Sequence, residues 1–195
     1  MLGLLAPTDP AWVQAAEADL PGLLSDHAHC ELKAAQNALS LLARFGGEAP
    51  GLVAPLTELA REETEHFAAV EHALRARGQR LGPPRSDDYV ASLRASARAS
   101  CEPDAPALLD RLLVAALIEG RSCERFRLLS DRLAHGGLRA FYRELMASEA
   151  RHFTLFSGLA SQCFGEDDSR RRFATLVRLE AEIACKLPLG PTVHG

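Results

Sequence analysis

Two Glu-x-x-His motifs, Glu63/His66 and Glu149/His152, are the residues whose types and spacing could bind a metal. At 3.6 residues per helical turn, positions i and i+3 project from one face, so each carboxylate and its imidazole can converge on one point. Either motif alone is weak. Both, however, fall at the same register of an internal repeat. Thr57 to Phe67 overlays Arg143 to Phe153 at an offset of 86 residues, with Glu, Leu, Glu, His and Phe matching. Each half of the chain therefore reads as a helix pair, the two related by a pseudo-twofold.

The motifs interrupt apolar stripes that step by threes and fours. One line runs Leu56, Leu59, Glu63, His66, Val70, Ala73; another runs Tyr142, Leu145, Glu149, His152, Phe156, Leu159. Two further lines are broken by a single Glu: Leu24, Ala28, Glu31, Ala35, Ala38, Leu42 and Leu112, Ala115, Glu119, Ser122, Phe126. Such stripes face a core, so these polar residues are placed in it. Glu31 precedes Glu63 by 32 residues and Glu119 precedes Glu149 by 30, so one helix down and one back returns each pair to the same level. Four carboxylates cannot share a core unneutralised, because burial of an unpaired charge is strongly unfavourable. Two divalent cations would neutralise them while two neutral imidazoles complete the coordination. The expected ligands are Glu31, Glu63, His66, Glu119, Glu149 and His152, the donor set of a di-iron or di-manganese carboxylate centre. Mixed carboxylate and imidazole donors suit Fe or Mn better than Ca or Mg.

The elements that must position these residues are helices. Ala, Leu, Arg and Glu dominate and strand alternation is absent. Thr8-Asp9-Pro10 reads as a cap opening a short helix to about Leu20. Pro21 opens a long helix that stops at Gly46-Gly47, and a second begins at Pro55 or a few residues earlier and stops near Gly78. A Pro/Gly-rich connection, Gly78 to Ser86, leads to a shorter helix over Asp88–Ala99. A third long helix spans about Asp104 to Ala134, closed by Gly136-Gly137, and a fourth spans Leu138 to Phe164, closed by Gly165. Asp167 or Asp168 caps a last helix to about Cys185, and Pro188 to Pro191 ends regular structure. The expectation is an all-α chain, a four-helix bundle with accessory helices, as a single domain over residues 1–195.

Composition excludes other classes. With 195 residues, 47% apolar and 25% charged, the chain is globular rather than disordered. Its longest apolar run, Leu112 to Ile118, is far short of the ~20 residues that span a bilayer. The opening Met1 to Pro7 has no basic stretch and reaches Pro7 too early for a secretory leader, so no membrane association and a cytoplasmic location are expected. The cysteines (Cys30, Cys101, Cys123, Cys163, Cys185) are odd in number and lack any CxxC, which argues against a zinc ribbon or disulfide framework and for reduced thiols mostly on helix faces, with Cys30 and Cys123 as packing residues. His27, one turn before Glu31, reads as a capping or solvated histidine, with a place beside the ligand as the alternative. Glu62 and Glu65 are expected to face solvent, Phe67, Phe126, Phe153 and Phe156 the core, and Ser122 to be a small packing residue or one turned to a pocket. Net charge is −4, from 22 Lys+Arg and 26 Asp+Glu, but two bound divalent ions would bring this formal count to about zero. Arginines cluster at Arg75, Arg77, Arg80, Arg85, Arg94 and Arg98, and again at Arg170 to Arg172. Taken alone these are solvated faces, although such patches can hold phosphates.

Beyond the ligand pattern, longer stretches carry a resemblance: Asp26 to Ala35, Arg61 to Phe67, Glu119 to Phe126, Ser148 to Phe153, the opening Leu4 to Thr8 and the closing Val193 to Gly195. Across nearly the whole chain they resemble the bacterial tRNA 2-methylthio-N6-isopentenyladenosine hydroxylases of the ferritin-like superfamily. The resemblance implies a non-haem di-iron monooxygenase with two Fe ions held by the six residues above and O2 as cosubstrate. No catalytic residue beyond the metal ligands is implied. It further implies hydroxylation of the isopentenyl group of the hypermodified adenosine next to the anticodon, an external electron donor, and a monomer. It makes Arg75, Arg77, Arg80, Arg85, Arg94 and Arg98 candidates for contact with the tRNA backbone. The competing class is a ferritin-like protein that oxidises or stores iron, or handles peroxide, without a tRNA substrate.

Overall fold

In a computed structural model, residues 2–102 and 105–194 are described; among them are seven α-helices and no strand. The helices are α1 Trp12–Ala18, α2 Leu20–Phe45, α3 Val53–Arg75, α4 Asp88–Ala99, α5 Ala107–Arg132, α6 Gly136–Phe164 and α7 Glu166–Ala184, with a single 3-10 turn at Pro50–Leu52. No helix among the described residues is long and apolar enough to cross a membrane. The fold is all-α. Two compact units are distinguished: Gln14–Ser86 with Gly190–Val193, and the residues up to Val13 with Asp87–Leu189 and His194.

In the first unit α2 and α3 pack along their lengths as a hairpin. Asp19 caps α2, its carboxylate accepting from Gly22 N at 2.9 Å, with Pro21 in the first turn where no N–H is needed. The buried faces hold Leu23, Leu24, Ala28, Ala35, Ala38 and Leu41 on α2 and Leu56, Leu59, Ala60, Val70 and Leu74 on α3. Leu41 and Leu74 take the inward positions expected of Leu42 and Ala73, a one-residue drift that follows from 3.6 rather than 3.5 residues per turn. After α3 the chain turns at Gly78, whose φ of 71° is left-handed. It is then clamped along one stripe of α2. Ser25 Oγ accepts from Gly82 N at 2.9 Å, His29 Nε2 meets Gly82 O at 2.8 Å, and Lys33 Nζ donates to Arg85 O at 3.3 Å.

In the second unit α5 and α6 form the corresponding hairpin, with α4 and α7 packed on it. α5 is buried on nearly every face, so its Leu, Ala and Val positions have no solvent stripe. The start expected at Asp104 lies outside the described residues; the helix begins at Ala107, after Pro106. Gly136-Gly137 does not close the preceding helix. It forms the first turn of α6, where the His135 ring accepts from Leu138 N, so α5 ends earlier, at Arg132. Asp167 and Asp168 likewise sit in the first turn of α7 beside Glu166, not at the cap, which is Gly165 with φ 85°. Three acids there complement the helix dipole.

A buried ion network ties the second unit together. Arg121 donates to Glu180 Oε1 from Nε at 2.9 Å and from Nη2 at 2.6 Å, and also pairs with Glu124. Glu124 accepts from Thr8 N at 3.0 Å and from Thr8 Oγ1 at 2.7 Å, and Tyr89 Oη donates to Glu180 at 3.1 Å. Two carboxylates share one guanidinium. Burial pushes the Glu180 carboxyl above its ordinary range, with Arg121 opposing, and pushes the Tyr89 phenol up too, with the Glu180 charge adding to it.

Candidate metal centre

Each unit gathers one triplet of donors. On α2 and α3, Glu31, Glu63 and His66 each offer a ligand atom, and these lie within 4.8 Å of one another. On α5 and α6, Glu119, Glu149 and His152 do the same within the same limit. In both hairpins the Glu-x-x-His pair sits on the later helix and the single Glu on the earlier one. All four carboxylates and His152 are buried, and His66 is 14% exposed.

The first triplet is organised by hydrogen bonds. His66 Nδ1 lies 3.2 Å from Glu63 Oε2 and 3.8 Å from Glu31 Oε2. His27, fully buried, places Nε2 2.5 Å from Glu31 Oε1. The capping or solvated role expected for His27 is thus corrected: a position one turn before Glu31 on the same helix face puts the ring beside the carboxylate. Burial alone would raise the Glu31 carboxyl, but the His27 and His66 rings outweigh it and hold Glu31 well below the usual carboxylate range. Burial likewise works against the His66 cation, yet hydrogen bonds and charge from Glu31 and Glu63 win and push its pKa up to about 10. In the second triplet His152 Nδ1 lies 3.8 Å from Glu149 Oε1, on adjacent turns of α6.

Two carboxylates and one imidazole per triplet fit a divalent transition metal. The donors are hard oxygen and borderline nitrogen, buried, close enough to share an ion, and in the first triplet already attract positive charge. Their chemistry fits iron.

The other expected residues are dispersed. Glu62 is partly covered and Glu65 exposed; Tyr142, Phe126 and Phe156 are buried, while Phe67 and Phe153 are half-buried. Arg75 pairs with Glu71 at 2.6 Å, and Arg77 donates to Ala73 O at 2.6 Å. Arg80 and Arg85 are exposed in the clamped connection, and Arg94 and Arg98 are exposed on α4. Arg172 is not part of a surface cluster: it bonds Asp110 at 2.6 Å and the carbonyls of Ala97 and Ser100, closing the end of α4. Sequence spacing missed one further group. Ser122 Oγ lies 3.0 Å from His194 Nε2, and His194 Nδ1 lies 3.1 Å from Asp87 Oδ2. These partners are 72 and 107 residues apart, so no local pattern announces them.

The model of the tRNA-(MS2IO6A)-hydroxylase (MiaE) family matches residues 2–195. A Pseudomonas putida protein named tRNA 2-(methylsulfanyl)-N(6)-isopentenyladenosine(37) hydroxylase is 42% identical over 172 residues, covering 88% of this chain and 81% of its own length. A Salmonella typhimurium protein of the same name is 32% identical over 236 residues, covering 96% and 84%. Among solved structures, a Synechococcus protein described as Protein 43 with aldehyde deformylating oxygenase activity superposes with a TM-score of 0.88 at 40% identity, covering 98% of this chain and 95% of that one. The likeness places the fold among ferritin-like helical proteins.

Proposed function

The chain belongs to the MiaE family of tRNA hydroxylases, and on that premise we propose that it is a tRNA-modifying non-haem di-iron monooxygenase. Its substrate is the 2-methylthio-N6-isopentenyladenosine next to the anticodon, hydroxylated on the isopentenyl group. The observation that carries this reading is the pair of buried Glu, Glu, His triplets at equivalent places of an internal repeat. In this reading residues 1–195 form one ferritin-like domain. Glu31, Glu63, His66, Glu119, Glu149 and His152 would hold two iron ions. The iron pair, when bound and reduced, supplies the redox chemistry that activates O2.

The chain's own residues do the rest. Four carboxylates balance the charge of two divalent ions, so loading leaves the interior neutral on formal counting. His27 fixes the orientation of Glu31. Burial of the four carboxylates and His152 limits the access of bulk water to the reacting groups. Exposed Arg80, Arg85, Arg94 and Arg98, with Arg75 and Arg77 beside them in sequence, offer positive charge to the tRNA backbone. Oxidation of C–H to C–OH by O2 consumes two electrons and two protons and releases one water, so an external electron donor is part of the reaction. A tRNA substrate makes the cytoplasm its place of work, and the chain acts as a monomer.

The test is aerobic turnover of tRNA carrying the prenylated, methylthiolated adenosine, with iron and a reductant, followed by mass analysis of the nucleosides. Gain of one oxygen on that nucleoside is expected; no gain overturns the reading. The Synechococcus likeness supplies the competing arm: an aldehyde offered under the same conditions, consumed while the tRNA is left untouched, would move this chain to that activity.

A further inference from the structure

The geometry points to Asp87, His194 and Ser122 as a proton relay that ends on the face of α5 carrying Glu119. This rests on the oxygenase reading above and adds the route by which one of the two required protons arrives. Asp87 is fixed at the start of α4, where Oδ1 accepts from Val90 N at 2.9 Å while Oδ2 faces His194 Nδ1 at 3.1 Å. A carboxylate only accepts, so Nδ1 carries the proton, and in the neutral ring Nε2 is left as an acceptor 3.0 Å from Ser122 Oγ. The Tyr89 ring stacks on the imidazole at 5.4 Å, and its hydroxyl is engaged with Glu180, so it holds the ring without competing for either nitrogen. His194 and Ser122 are buried, and the Asp87 side chain, 14% exposed, is the end of the chain of groups nearest solvent. Ser122 follows Glu119 by three residues and therefore shares its face of α5.

Serine, histidine and aspartate in this order of contact also form the acyl-transfer triad. That use does not fit here. Ser122 lies inside α5, where neighbouring backbone N–H groups are spent on helix hydrogen bonds and cannot stabilise an oxyanion. What the arrangement does support is transfer along hydrogen bonds. With His194 as imidazolium, Nε2–H donates to Ser122 Oγ and turns the hydroxyl proton towards the pocket. When the oxygen atom of O2 that leaves as water takes that proton, the Ser122 O–H bond breaks, the Nε2–H proton moves to Ser122 Oγ to form a new O–H bond, and His194 is left neutral with its Nδ1–H on Asp87. Solvent restores the proton between turnovers. The external donor supplies both electrons, and no group of the relay changes oxidation state.

The experiment uses the full, iron-loaded chain with prenylated tRNA and reductant, comparing wild type with Ser122→Ala, Ser122→Thr and His194→Gln. The relay requires kcat to fall at least about tenfold in Ser122→Ala and His194→Gln. KM for tRNA and iron content should hold, the solvent deuterium isotope effect on kcat should rise, and Ser122→Thr should restore the rate. Gln keeps hydrogen bonds at position 194 but cannot pass a proton, so it decides the matter if Ser122→Ala folds poorly. A second readout needs no turnover: the imidazole 15N spectrum of the metal-free chain should show neutral His194 protonated at Nδ1. Rates within twofold of wild type in both deficient variants, a Ser122→Thr rate as low as Ser122→Ala, or an Nε2-protonated neutral ring would each overturn the relay. A wild-type chain that adds no oxygen overturns the oxygenase reading itself and is seen before any variant is made.

Discussion

His27 Nε2 lies 2.5 Å from Glu31 Oε1 one turn along α2, and the ring is completely buried. With Glu31 ionised, the ring donates Nε2–H to a ligand oxygen and fixes which way the carboxylate faces. Partners of this kind typically change metal affinity by about 10- to 100-fold when removed. His27→Ala is therefore expected to weaken iron binding by that factor while leaving all six ligands in place, with His27→Gln intermediate. Competition against a chelator measures it; affinity unchanged in His27→Ala would mean that Glu31 is oriented by other contacts.

The His66 pKa of about 10 makes metal loading a proton exchange. At neutral pH the metal-free imidazole is protonated, whereas a metal requires it neutral. Loading should release about one proton for this ring, and apparent affinity should rise about tenfold per pH unit up to about pH 10 where that proton alone competes. The sign for folding is opposite. A histidine pKa raised above its ordinary value of 6.5 stabilises the metal-free chain below pH 6.5, and the contribution is lost as pH rises through about 10. A pH-stat titration with ferrous ion under anaerobic conditions checks the release; none at pH 7 would contradict the assignment.

Arg121 is the shared counter-ion of Glu124 and Glu180 in the interior of the second unit. Arg121→Met leaves two buried carboxylates unneutralised and should cost about 3–5 kcal/mol in chemical denaturation. Glu180→Gln leaves the Arg121–Glu124 pair intact and removes the surplus charge, so it should shift stability by less than about 1 kcal/mol. Because burial raises the Glu180 pKa above its ordinary value of 4.5, stability falls as pH rises from 4.5 through the folded value, and Glu180→Gln should flatten that slope. A small loss in Arg121→Met would show that the network contributes little.

These residues also mark how far the sequence can be read. The triplets are legible because helix periodicity and an internal repeat are local regularities, and Glu63, His66, Glu149 and His152 obey both. The helix over Asp88–Ala99 is legible to the residue because Asp87 caps it and its last turn runs into Ser100. Gly136-Gly137 misleads because glycine ends helices in general, and only the His135 ring accepting from Leu138 N makes these two a beginning. Arg172 has the composition of a surface cluster, yet Asp110, 62 residues away, draws it inward. His194 with Asp87 and Ser122 depends on chain positions that only the folded state brings together.

Exposed Arg80 and Arg85 lie on the connection that Ser25, His29 and Lys33 clamp to α2, so their backbone is ordered before any tRNA arrives. Pre-ordering reduces the entropy lost on binding. Neutralising a phosphate releases counterions and adds roughly 0.7 to 0.9 to the salt slope per contact, depending on strandedness. Arg80→Glu with Arg85→Glu should therefore weaken tRNA binding at least about tenfold and reduce the slope of log affinity against log salt by roughly 1.4 to 1.8. Iron content should not change, since neither residue touches a triplet. Arg170→Glu with Arg171→Glu, on α7 and paired with Glu166 and Asp168, makes the same change in formal charge and serves as the control. Filter binding across a salt series separates the two: equal losses in the double variant and the control would assign the effect to net charge and remove this connection from the tRNA footprint.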